Sequence, residues 1–443
     1  MNVKKIRPEP RRVSSPVRAR VRCALAVALV LAAGWGGRPL AAQTTSPEAW
    51  REDLAFLSRE MIRLHPNLFF SIPREQFDQA VAQLDARIPG LTDNQVIAEL
   101  HKIAALPSQR GRDGHSGMVP LDPRLDSFLP FEGYRFSDGL FILRARSPHQ
   151  DLVGAEVLRV GGQPVKKVYR TLDPLISRDN AWTVRAKLPQ YLISAQLLEA
   201  VGIIPDAGEA ELLVKRADGS VFPVIVPSVG GRALVNWIEE SSPLPPGPQP
   251  LYLSDLQERY WFRFLADSGT LYVRYNAIRS DTQSGDTMQQ FANKLANVIA
   301  NRAPERLVID VRLNGGGDNT TYEPLLAMLE QNAAINQRGK LFTIMDRGTF
   351  SAAGNFVTDI ERRTETLLVG EPTGGAPNQY GDARRQELPS SRLLFFVSTL
   401  YHQRSTADDP RLTHKPDLPA ALSSRDFFNG RDPAMEAILA FKP

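Results

Sequence analysis

One stretch constrains this chain more than any other: LVIDVRLNGGGDN, Leu307 to Asn319. Its apolar, β-branched run fits a strand buried on both faces, and three consecutive glycines turn the chain at its end. The stretch belongs to a series. From Gly269 onward LYVRY reads as a strand, Met288 to Asn301 as a helix, RLVIDV as a buried strand and Tyr322 to Gln331 as a helix. LFTIM then reads as a strand, Ser351 to about Arg362 as a helix, and TLLVG and LLFFV as further strands. Alternating strand and helix specifies an α/β domain with a largely parallel or mixed sheet, here placed at residues 251–443.

Other patterns precede it. Ser46-Pro47-Glu48 has the form of a helix start, and Trp50, Leu54, Leu57, Met61 and Leu64 follow at helical spacing. Phe77, Val81, Leu84 and Ile88 mark a second helix, and Thr92 opens a third, so a helical N-terminal domain is expected over 43–120. Residues 130–230 turn to short β-rich runs (LFILRA, AEVLRV, ELLVKR, FPVIVP) with turn signals between them. Residues 241–250, SSPLPPGPQP, read as a proline-rich linker.

The first 42 residues differ from the rest. A basic stretch from Lys4 to Arg22 precedes the apolar run CALAVALVLAA, and Ala41-Ala42 follow. This is the form of a secretory signal peptide cleaved near Ala42, and it implies a periplasmic or secreted protein, bound to a membrane only if the leader stays uncleaved. The whole chain carries 53 basic and 49 acidic residues; nine of the basic ones and Glu9 lie in this leader, so the remainder is 44 against 48, a net −4. The basic balance belongs to the leader, and no nucleic-acid partner follows from it. The single cysteine, Cys23, is also in the leader, which excludes disulfides and thiolate chemistry from the rest. There is no HExxH and no tight His/Asp cluster, so neither metal nor cofactor is expected.

Three segments have the residue types for acyl transfer. In DRGTFSAAGNF, Asp346 to Phe356, Ser351 falls where a loop becomes a helix. A helix start offers free N–H groups and a dipole that favours negative charge, so Ser351 reads either as a nucleophile with the Ala352 N–H as oxyanion donor or simply as an N-cap. The glycine turn reads either as an ordinary tight turn or as a source of backbone donors at Gly316 and Gly317. In RDGHSG, Arg112 to Gly117, His115 sits between glycines in a loop and reads as a general base or as a surface histidine.

Together and in this order, these segments resemble the S41 peptidases, which include the tail-specific and C-terminal-processing proteases and the tricorn core. LVIDVRLNGGG is similar to that family's glycine-rich strand-turn, GTFSAAGNF to its nucleophile segment, VGEPTGG (Val369 to Gly375) to the strand that follows, and His414 to Leu439 to its C-terminal segment. RDGHSG and the helical stretch from Trp50 resemble its N-terminal part, and VGAEVLRVGGQPVKKV resembles a degenerate PDZ core. The resemblance implies a ClpP/crotonase-like α/β catalytic domain with a helical N-terminal domain and a β-rich PDZ-like insert. It also implies a serine-type endopeptidase acting on a peptide or protein substrate. The tail-specific branch uses a lysine in the turn after VGEPT, where this chain has Ala376. The tricorn-like branch instead implies a Ser-His-Asp arrangement, with Ser351, His115 and Asp409, or Asp408 next to it, in the three roles. Two alternatives stand beside this reading: a non-catalytic peptide- or ligand-binding protein on the same scaffold, and an esterase. Oligomeric state is left open by the sequence.

Overall fold

The computed structural model describes residues 45–240, 249–283 and 285–442; the leader, Cys23 and most of the proline-rich linker lie outside them. The C-terminal half is built on a six-stranded sheet ordered Leu418–Pro419, Leu367–Gly370, Leu341–Met345, Arg306–Asp310, Thr270–Tyr275, Tyr260–Leu265. The first five strands run parallel and the last antiparallel. The period-two alternation of a strand divides its side chains between two layers. Leu271, Val273, Leu307, Ile309 and Leu341 pack against the helices Met288–Arg302, Glu323–Gln331 and Ala352–Arg363. Tyr272, Val308, Phe342 and Ile344 face the opposite way, onto Ala434, Met435 and Ile438 of the helix Pro433–Ala440. Both faces are covered, which is why these strands read as continuous apolar runs.

The N-terminal half has three helices, Pro47–Leu64, Arg74–Arg87 and Asp93–Ala105. Ser46 caps the first by accepting from the Ala49 N–H at 3.2 Å, and Thr92 and Gln95 close a capping box on the third. They share one core with an antiparallel sheet ordered Phe131–Arg135, Leu140–Ala145, Glu156–Val160, Glu209–Lys215, Val221–Pro227. The β-rich segment is less uniformly β than its sequence suggests. Three helices, Val165–Leu172, Ala181–Leu192 and Ala195–Ala200, stand between its third and last two long strands. The middle one begins at Asn180, whose side chain accepts from the Trp182 and Thr183 N–H groups.

The halves interlock. The LLFFV run does not join the parallel sheet: Leu394–Val397 pairs antiparallel with Gly117–Met118. Phe395 is fully buried in the N-terminal core, a burial worth about 2–3 kcal/mol for a phenylalanine. Gly117 lies two residues beyond His115. This pairing therefore brings a strand of the C-terminal half against the histidine loop.

Candidate active site

Ser351 lies between the strand Leu341–Met345 and the helix Ala352–Arg363, at the carboxyl edge of the parallel sheet. Its approach is stitched down residue by residue. Asp346 Oδ1 accepts from the Leu313 N–H at 3.0 Å and the Gly348 N–H at 2.9 Å; the Thr349 hydroxyl donates to the Val311 carbonyl at 2.9 Å. The Phe350 N–H donates to the Asn314 carbonyl at 3.0 Å, which joins this loop directly to the glycine turn. Ser351 itself has φ 55° and ψ −129°, and its side chain makes no capping hydrogen bond. It occupies the N-cap position, its carbonyl accepting from the Asn355 N–H at 3.0 Å, but its hydroxyl does not cap the helix. A non-glycine residue in this region costs about 1–3 kcal/mol and persists only where its surroundings enforce it.

The glycine turn provides that enforcement. Gly316 has φ +106°, and a Cβ there would sit 2.7 Å from Ser351 Cβ and 2.8 Å from the Ala352 nitrogen. Gly317 has φ +148°, and a Cβ there would sit 1.9 Å from the Ile278 carbonyl oxygen. Only glycine fits at either position. The expected set of oxyanion donors is corrected at one member: the Gly316 N–H is already donated to Asn314 Oδ1 at 2.9 Å. Among the described residues the N–H groups of Gly317 and Ala352 donate to no acceptor.

His115 belongs to a loop fixed from below by Asp113. Asp113 Oδ1 accepts from the His115 N–H at 3.1 Å, the Ser116 N–H at 3.0 Å and the Ser398 hydroxyl at 2.7 Å, while its Oδ2 lies 3.3 Å from His65 Nε2. Burial alone would raise this carboxyl, but the His65 contact and the two serine bonds bring it down to about 2, so it is charged at neutral pH. The His115 ring stacks on Phe350, the residue before Ser351, with centroids 4.4 Å apart and planes at 25°. Both ring nitrogens are shut off from solvent and, among the described residues, neither makes a hydrogen bond of good geometry, although the Tyr380 carbonyl is close enough to act on the ring. Burial, aided by the charges of Lys187 and His402, holds the imidazole down to about 4 against the pull of Asp113 and the Tyr380 carbonyl. At neutral pH the ring is uncharged, as a proton acceptor must be.

The expected third member is placed differently. The Asp409 carboxylate accepts from the Ser405 hydroxyl at 2.6 Å and from the Arg411 backbone and guanidinium at 2.9–3.1 Å, and makes no bond to the imidazole. The cause is local: Arg411, two residues on, supplies a stronger partner than a neutral ring would. Asp408 is exposed. The Asp409 loop reaches the histidine loop through its backbone, because Arg112 donates to the Asp409 carbonyl at 2.8 Å and the Arg112 carbonyl accepts from the Tyr380 N–H at 2.8 Å.

Two further groups escaped the sequence reading. Gln379 Nε2 donates to the Ser351 carbonyl and to Asn355 Oδ1, each at 3.1 Å, while its Oε1 is buried without a partner. Asp179 Oδ1 accepts from the Gly114 N–H at 2.6 Å and Oδ2 from the Ala376 N–H at 3.3 Å. Burial raises the Asp179 carboxyl to about 7. The one local signal near it was Asn180, a residue type suited to start a helix. Among the described residues no three His, Cys, Asp or Glu side chains are grouped to hold a metal ion.

No family model matches the chain, and no curated protein does. Solved structures do. Mature CPAF complexed with lactacystin superposes with a TM-score of 0.58 at 15% identity, covering 88% of this chain and 97% of that one. Mature CPAF alone gives 0.58 and 15%, covering 88% and 96%. The tricorn protease gives 0.40 and 12%, covering 89% of this chain and 36% of the other. The chain has an S41-like peptidase fold, a mixed α/β arrangement of several sheets and helices.

Proposed function

We propose that this protein is a serine peptidase that hydrolyses peptide bonds through an acyl-enzyme. The observation that carries the reading is Ser351: strained, without a side-chain capping bond, at the start of a helix and pressed against a glycine turn that admits no side chain at Gly316 or Gly317. Its hydroxyl loses its proton to His115 as Oγ bonds to the scissile carbonyl carbon. The C–N bond then breaks and the leaving amine takes that proton. Water repeats the exchange: it gives a proton to His115, bonds to the acyl carbon and releases Ser351 with its proton restored. The N–H groups of Gly317 and Ala352 stabilise the oxyanion, and each such donor contributes about 3–4 kcal/mol. Asp409 acts through the loops it anchors, on Arg411 and, by its carbonyl, on Arg112.

The finer assignments belong to the same proposal. The α/β body is ClpP/crotonase-like, and residues 130–230 form a PDZ-like module, a reading supported by their five antiparallel strands. The leader supports export with cleavage near Ala42, and the substrate is a peptide or an unfolded protein. One observation favours a second reading, a binding protein on this scaffold: among the described residues no carboxylate bonds the His115 ring, and no lysine stands at position 376, which is Ala376. Fluorophosphonate labelling of the mature protein separates the two. The proposal expects an adduct on the Ser351 peptide and none in Ser351→Ala, together with loss of cleavage of an unfolded protein. An unlabelled wild type, or a label that persists in the variant, overturns it.

A further inference from the structure

The residue before His115 is held from both sides by titratable side chains. The Gly114 N–H donates to Asp179, and the Gly114 carbonyl accepts from Lys187 Nζ at 2.5 Å. Lys187 donates also to the Ser177 carbonyl at 3.0 Å, and its Nζ lies 5.9 Å from the centre of the Phe350 ring. Gly114 is itself pressed on that ring: a Cβ there would meet it at 2.9 Å. The grip comes from a single element, the helix Ala181–Leu192 and the residues just before it. That element is tied to the other half of the site as well. Asn180 Nδ2 donates to the carbonyls of Thr373, Gly374 and Leu412 at 2.6–3.2 Å, and Thr183 Oγ1 to that of Gly374 at 2.5 Å.

Even partial withdrawal of an ammonium from water is costly where an apolar side chain would fill the same space. Lys187 accepts that cost while bonding two carbonyls and, among the described residues, no carboxylate. Its charge is countered only at a distance, by Asp179 and Asp113.

We infer that Lys187 is a positioning residue for His115: its ammonium grips the Gly114 carbonyl, fixes the loop, and stations a positive charge beside the imidazole. The inference rests on reading His115 as the base. Three charged or titratable groups face the ring: Asp113 from its own loop, His402 from the strand Leu400–Gln403, and Lys187. Asp113 favours a proton on the ring; Lys187 opposes it. Burial lowers the lysine itself to about 8, so it remains charged over the acid range in which the imidazole would protonate. The chain thus has a half-buried lysine at this site, supplied by a different element from the turn in which Ala376 stands.

The test is the ring titration of His115 in the mature protein, followed by NMR of labelled histidine and assigned by the signal lost in His115→Gln. Lys187→Met is expected to raise the proton affinity of His115 about tenfold, the effect of removing one nearby like charge, and to move the acid limb of kcat/KM the same way. Lys187→Arg keeps both the donor and the charge, and is expected to titrate like the wild type. Lys187→Gln keeps a donor without the charge, and serves if the Met variant does not fold. A folded Met or Gln variant whose His115 midpoint is unmoved overturns the inference. An unlabelled Ser351 in a wild type whose imidazole still responds to Lys187 overturns the peptidase reading alone.

Discussion

The ring of His115 stacks on the ring of Phe350, centroids 4.4 Å apart, and Phe350 is bonded in sequence to Ser351. The proposed base and nucleophile are thus joined through one aromatic side chain, although 235 positions separate His115 from Phe350 in sequence. With no well-formed hydrogen bond to either imidazole nitrogen among the described residues, this stack is a principal restraint on the ring. Aromatic pairs contribute about 0.5–1.5 kcal/mol beyond their buried area. Phe350→Leu keeps an apolar side chain and removes the pairing. It is expected to lower kcat/KM on a peptide substrate by up to about tenfold, mainly in kcat. An unchanged kcat would show that the stack does not orient the ring.

Gly316 makes a steeper prediction. Alanine there meets Ser351 Cβ at 2.7 Å and the Ala352 nitrogen at 2.8 Å, on a backbone at φ +106° that disfavours any side chain. The clash is with the nucleophile's Cβ and with the backbone of the residues on either side of it, so relief displaces Ser351. Gly316→Ala is expected to reduce fluorophosphonate labelling by at least about a hundredfold, since misplacement of a reacting group by about 1 Å costs that much. The far-ultraviolet circular dichroism should remain that of the wild type. Labelling at the wild-type rate would mean that the turn is not in contact with the functioning serine.

The division between what the sequence disclosed and what it hid follows contact range. The glycine turn, the helix start at Ser351 and the caps at Ser46 and Thr92 are local, and each was legible in a few neighbouring residues. So was the histidine loop, through its flanking glycines. The clamp of Asp179, Asn180 and Lys187 was not: Gly374 and Leu412 lie 194 and 232 positions from Asn180, Ala376 lies 197 from Asp179, and Gly114 lies 73 from Lys187. The LLFFV run had the composition of a buried strand and is one, but composition does not name the sheet a strand joins. Asp409 was placed by resemblance alone, and Arg411, two residues on, decided its partner.

Asp409 therefore carries a prediction of its own. Where a carboxylate holds a catalytic imidazole directly, replacing it by the amide costs about ten-thousandfold in rate. Here the carboxylate bonds Ser405 and Arg411, while its backbone carbonyl holds Arg112. Asp409→Asn leaves that carbonyl in place and weakens only the outer pair. Labelling of Ser351 is expected to fall no more than about tenfold, against a loss of a hundredfold or more in His115→Gln. Equal losses in the two variants would restore a direct role for Asp409 on the ring.

Strain at Ser351 predicts a gain in stability from its removal. Glycine adopts φ 55° freely, whereas serine there costs about 1–3 kcal/mol. Glycine's extra unfolded-state freedom returns about 0.5–1 kcal/mol of that. Ser351→Gly should be inactive and more stable by about 1 kcal/mol in denaturant unfolding. Ser351→Ala retains the strain and should unfold close to the wild-type midpoint. A Gly variant less stable than the Ala variant would locate the strain elsewhere.

Acid stability is set in part by His101, on the helix Asp93–Ala105. It is 1% exposed, its Nδ1 has no partner, and burial lowers its pKa to about 3. The folded protein keeps this ring neutral, while the unfolded chain protonates it near 6.5. Its contribution to stability is therefore complete above about pH 6.5. It is lost as the pH falls toward about 3, because the unfolded state takes up the proton first, at about 1.4 kcal/mol per pH unit. His101→Leu removes the titrating group and keeps an apolar side chain against Tyr191, whose ring lies 5.5 Å away. Between pH 7 and pH 4.5 the wild type should lose about 2–3 kcal/mol more unfolding free energy than this variant. Asp113, held at about 2, stays charged across that interval and does not contribute to the difference. Parallel losses in the two proteins would assign the acid sensitivity to another buried histidine, with His115 the first to test.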